Sequence, residues 1–194
     1  MAKRHPEKLL KIFDFNNPPY NPFKLAEKLE INIDRTLTFK KLTFEKIGHS
    51  GSISVKNNDA TIWVNRWDIE ERQRFTVAHE IGHYILHILP SQEEKHFIDT
   101  PESIYGLLNK EGNKTILTGA NTIQELEATI FASELLMPKK DILAEAEKII
   151  DASEGKPIKV GKFIAEMARI FVVSKQQMLN KLKACDLVSN NYKL

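Results

Sequence analysis

The chain has 194 residues, 42% hydrophobic and 28% charged, enough for one sizeable core and a small appended subdomain. A net charge of +2, with lysines and glutamates interspersed, leaves no strong electrostatic footprint for nucleic acid or membrane. The one cysteine, Cys185, cannot close an internal disulfide, so no oxidising compartment is needed.

The basic N-terminus, MAKRHPEKLLKIFDF, is not followed by a long apolar run or a small-residue cleavage site, so no signal peptide is expected. Residues 6–13 suit a short helix, broken by NNPPYNP at 16–22. Phe23 to Leu29 reads as a short amphipathic helix and Ile31 to Ile33 as the start of a strand. From Gly51 the apolar period becomes two. SISV (52–55), the turn NND (57–59) and ATIWV (60–64) together predict a β-hairpin.

Asp68 is placed to cap a helix from about Ile69 to Leu89, with Glu71 in the capping-box position and Pro90 as the stop. The second half of this helix is apolar on most sides, which predicts a central helix. Its longest apolar run, Ile81 to Leu89, is broken by His83 and His87 and is too short to span a bilayer. The cytoplasm is therefore the expected location. Residues 90–120 read as a long polar connection with a short strand around Thr115–Leu117. Thr122 is the predicted cap of the next helix, with Glu125 at the third position and Pro138 as its end. Further helices are expected over 139–151, Val160 to Phe171 and Ser174 to Leu187. A small antiparallel β element followed by helices makes the class α+β.

The central helix carries His79-Glu80-Ile81-Gly82-His83, an H-E-x-x-H pattern. Residues four apart stack on one helix face, so two imidazoles can hold one ion at about 2.0–2.1 Å each. Glu80 is turned about 100° from His79, within reach of a water on that ion. Gly82 leaves room for a second backbone to approach.

A catalytic zinc site needs a third protein donor. His87 lies roughly 12 Å from His79 along a straight helix, too far to share one ion, and is read as a structural histidine near the helix end. Leu86 and Leu89 occupy the positions where the metzincin pattern has its glycine and third histidine. A carboxylate from helix 122–137 remains: Glu125, Glu127 or Glu134. Glu125 shares a face with Ala128, Thr129 and Ala132, whose small side chains suit close approach to a partner helix, and is favoured over Glu127. Thr129, one turn further on, either bonds a zinc-binding histidine or its own backbone.

Together, RFTVAHEIGHYILH (74–87) and ELEATIFASELLMP (125–138) resemble the ImmA/IrrE family of zinc metallo-endopeptidases. KLAEKLEINI, IWVN and IAEMARIFVVSKQQMLNKL fit the same family, so the resemblance covers about residues 20–187. It implies a zincin-like core with Zn2+ on His79, His83 and Glu125, and Glu80 as general base. The family usually has Asn or Asp where this chain has Thr129, which departs from its support of the site. Members commonly cleave or antagonise helix-turn-helix transcriptional repressors in phage, mobile-element or stress-response settings, so a protein substrate of that kind is the expected partner.

A zincin-like core over 1–150 and a helical subdomain over 151–194 packed on it are the expected domains. Tyr84, Tyr105 and His96 are candidate electrophiles, with Tyr84 better read as core. The hairpin 52–64 is a candidate edge for an extended peptide. The C-terminal pair has the outline of a helix-turn-helix, with Ser174 as cap and Lys175, Lys181 and Lys183 on its second helix. That stripe is too weakly basic for direct DNA binding to be expected. The alternative function is a non-catalytic zinc-fold regulatory or toxin–antitoxin-type partner that acts by binding.

Overall fold

A computed structural model describes residues 5–37, 51–57, 59–90, 96–98 and 120–194. Its first half runs α1 (Pro6–Ile12), α2 (Pro22–Lys28), β1 (Asn32–Leu37), β2 (Gly51–Lys56), β3 (Asp59–Asn65), α3 (Glu70–His83) and a π-helical turn (Tyr84–Ile88). Then come β4 (His96–Ile98), α4 (Ala120–Leu136), α5 (Lys139–Asp151), α6 (Val160–Phe171) and α7 (Lys175–Ala184). The class is α+β, as expected. The predicted strand at Thr115–Leu117 and the candidate Tyr105 lie outside the described residues.

The hairpin forms where the alternation put it, with Ile53 opposite Ile62 and Gly51 opposite Val64. Ile53, Ile62 and Val64 point into the core, as a period of two on a half-buried sheet requires. The sheet is larger than the expected antiparallel element, and mixed. Its order is β1-β3-β2-β4, with β1 parallel to β3. A three-residue apolar stub at 31–33 could not reveal that pairing, because β1 joins the hairpin strand that runs its own way and skips β2. The hairpin strands are consequently the two inner strands. The expected role of 52–64 as an open edge is corrected: β4 pairs along β2 and β1 along β3.

α3 starts one residue later than its sequence signal. Ile69 is the extended residue before it, and no side chain caps it. Asp68 instead faces Arg72 Nε at 3.2 Å, while its carbonyl accepts from Gln73 Nε2 at 2.7 Å. Glu70 and Glu71 still favour the positive end of the helix. Every residue from Arg74 to His83 is buried, because α3 packs against β2, β3, α2 and α4. The regular helix does not continue to Leu89. After His83 it widens into the π turn, closed by the Leu89 N–H donating to the Tyr84 carbonyl at 2.8 Å.

α4 begins at Ala120, so Thr122 lies inside the helix and is not its cap. Ser174 does cap α7: its hydroxyl accepts from the Gln177 N–H at 3.2 Å and the Gln177 side chain accepts from the Ser174 N–H at 3.0 Å. Lys181 is not part of a basic stripe. It is buried, with Nζ 2.5 Å from Glu134 of α4. Arg74 ties three segments together, donating from Nε to the Val172 carbonyl at 3.1 Å and from Nη2 to the Tyr20 carbonyl at 2.7 Å. Val172 ends α6 with φ of 51°, an uncommon conformation for a β-branched residue. The apolar core is continuous from Leu9 through Ile62, Ile81 and Leu136 to Phe171 and Leu182. Among the described residues, no helix is long and apolar enough to cross a membrane.

Candidate metal centre

The site depends on how closely α3 and α4 approach. A Cβ added at Gly82 would stand 3.1 Å from both Cα and O of Ala128 and 3.3 Å from Phe131 Cβ. Any larger residue would push the helices apart. Ala128 and Ala132, both fully buried, are the matching small residues on α4. The two helices run antiparallel here, so His79 faces Thr129 and Glu125, while His87 faces Gln124.

Three donors converge at this contact. His79 Nε2 is 3.0 Å from His83 Nε2 and 3.2 Å from Glu125 Oε2, and His83 Nε2 is 3.4 Å from Glu125 Oε1. Both histidines are fully buried. Zinc–nitrogen and zinc–oxygen bonds of about 2.0–2.1 Å in a tetrahedral site place neighbouring donors roughly 3.3 Å apart. These separations fit that requirement, and the donor set of two imidazoles and a carboxylate is one zinc accepts. Burial pushes the Glu125 carboxyl up, but its hydrogen bonds to His79 and His83 outweigh this and bring it down to about 2.

The other predicted residues separate cleanly. Glu127 faces away from the donor cluster, half exposed, with Oε2 3.8 Å from His87 Nδ1. Glu134 is committed to Lys181. Thr129 Oγ1 lies 3.3 Å from His79 Nδ1. With His79 Nε2 turned to the cluster, its Nδ1–H donates to that hydroxyl, an orientation that fixes tautomer and ring plane. Glu80 is fully buried beside the cluster. The start of β2 lies against it: a Cβ at Gly51 would be in ordinary contact with Glu80 Oε1 at 3.5 Å, while Thr76 Cγ2 and the Trp63 carbonyl would crowd it. Tyr84 is half-buried and packs on the core, as read. His96 lies on β4.

One position escapes the sequence reading: at Gly51, placed there only at the start of an alternating segment, a Cβ would collide with Thr76 Cγ2 and stand 2.8 Å from the Trp63 carbonyl, so glycine lets β2 lie against α3. His87, read as a structural histidine near the helix end, is buried outside the donor cluster as that reading requires, and its Nε2–H donates to the Gln124 carbonyl at 3.1 Å. Burial, and then the neighbouring His83, push its pKa down. The π turn that aims it has no simple residue signature.

An α+β fold with a His-His-Glu donor set, two histidines one turn apart on a buried helix and a buried glutamate between them, defines a candidate metal-dependent hydrolase. Comparison with family models places it more narrowly. The chain belongs to the peptidase M78 family, whose IrrE N-terminal-like domain matches residues 37–183. Membership implies a metallo-endopeptidase and confirms the ImmA/IrrE resemblance, with KLAEKLEINI lying upstream of the matched range. Comparison with curated proteins gave no match.

Proposed function

We propose that this protein is a zinc-dependent endopeptidase with a zincin-like core, acting in the cytoplasm on a protein partner. The observation that carries the reading is the convergence of His79, His83 and Glu125 at zinc-compatible separations beside the buried carboxylate of Glu80. His79, His83 and Glu125 are the residues that would hold zinc. Bound there, zinc supplies Lewis acidity toward water and the scissile carbonyl. Glu80 takes the proton of the attacking water and returns it to the leaving amine. Thr129 holds His79 in the tautomer that turns Nε2 to the metal. The lone cysteine, with no possible internal disulfide, suits a reducing compartment.

Family resemblance favours a helix-turn-helix transcriptional repressor as the substrate. The test is purified protein with its co-encoded repressor. Wild type should carry a single zinc per chain and cleave the repressor, while Glu80→Gln should keep zinc and lose cleavage. A Glu80→Gln protein that retains the full biological effect would instead support the binding-only reading. Folded wild type that takes up no zinc would defeat both.

A further inference from the structure

We infer that His87 is a positioning residue: through the Gln124 carbonyl it sets where the Glu125 carboxylate meets His79 and His83. The inference rests on the zinc reading above and adds a residue that reading does not use.

The argument starts from the peptide unit. The Gln124 carbonyl and the Glu125 nitrogen belong to one rigid plane, so holding the carbonyl fixes the placement of the Glu125 Cα. A helical carbonyl has a second lone pair beyond its i+4 bond, and His87 Nε2–H uses it at 3.1 Å. The ring is buried and lies 5.3 Å from the His83 ring, centroid to centroid. The donor therefore comes from a fixed part of the same helical segment that carries the two histidine donors. Gly82 against Ala128 pins α4 on one side of Glu125, and His87 against Gln124 pins it on the other. Glu125 sits between the two pins.

The π turn serves this contact. It begins at Tyr84, directly after His83, and inserts one extra residue per hydrogen-bonded ring before Leu89. His79 and His83 keep regular α spacing for a shared ion, while His87 is re-aimed toward the neighbouring helix.

The test compares His87→Leu, which removes the donor, with His87→Gln, whose amide N–H can replace it. His87→Met substitutes for the leucine variant if that does not fold. Zinc affinity is read by competition with a chromophoric chelator, and amide hydrogen exchange is followed over 123–128 in the zinc-free protein. The leucine variant should bind zinc about 10–100-fold more weakly, the usual cost of losing a group that orients a ligand. It should also exchange faster over 123–128, and the glutamine variant should stay near wild type in both. Equal zinc loss in the leucine and glutamine variants, or unchanged affinity and exchange in both, overturns the inference. Wild type that takes up no zinc defeats the metal reading, whereas the exchange comparison still decides whether His87 holds the Glu125 segment.

Discussion

Replacing Gly82 by alanine should lower stability, although alanine is the better helix former. On an exposed helix the change would gain about 1 kcal/mol from propensity. Here the added methyl would stand 3.1 Å from two backbone atoms of Ala128, which can yield only if α4 moves as a unit by a few tenths of an ångström. Overpacking of this kind costs about 1–3 kcal/mol. The net expectation is a loss of about 1 kcal/mol, or ~2–4 °C in Tm for a chain of this length. The same displacement carries Glu125 away from donors now 3.2 and 3.4 Å distant. If separating the donors costs a further ~1.4 kcal/mol, zinc affinity falls about tenfold. Urea melts of the metal-free protein and chelator competition measure the two effects separately. A Gly82→Ala protein that is more stable by the propensity gain and binds zinc as wild type does would refute the close-approach argument.

Glu125→Ala should abolish measurable zinc binding, whereas Glu127→Ala, altering a half-exposed carboxylate outside the cluster, should leave it within about twofold by the same competition assay. Arg74→Met should cost about 2–4 kcal/mol of unfolding free energy in urea titrations, because the Tyr20 and Val172 carbonyls lose a buried donor; Arg74→Lys should not recover it, since one ammonium cannot fork to both. Burial, followed by a 2.6 Å hydrogen bond to Asp141, raises the Tyr20 hydroxyl well above its ordinary value. The folded state thus prefers the neutral phenol, and its contribution is whole below about pH 10 and lost as pH rises further. Between pH 10 and 11.5, wild type should lose about 1 kcal/mol per pH unit more than Tyr20→Phe in denaturant titrations.

Much of the site was legible because it obeys local rules. His79 and His83 are one turn apart, and Glu125 shares a helix face with small residues that permit close packing, so periodicity favours it over Glu127 without deciding between them. Ser174 and Gln177 carry their capping box in four consecutive residues, and the hairpin is written in its alternation. What escaped depends on tertiary context. Asp68 has the chemistry of a cap, but the backbone bends one residue later and its carboxylate goes to Arg72. Thr122 has it too, yet helical bonding extends upstream to Ala120. β1 finds its partner across a segment longer than any local signal. Lys181 looks like a surface cation until Glu134 of another helix meets it. The π turn adds a bond pattern that no residue in YILHI demands.

The division of the donors between α3 and α4 has a consequence for the order in which the protein is made. A ribosome that has released the chain through Ile98 has supplied His79, Glu80 and His83, but not Glu125. The triad is closed only after α4 has been synthesised and Gly82 has been seated on Ala128. On the proposed zinc reading, a nascent, truncated or partly unfolded chain holds two of the three donors, and hydrolysis would await the completed fold. Latency of this kind needs no inhibitory segment: it follows from the position of one glutamate in the sequence.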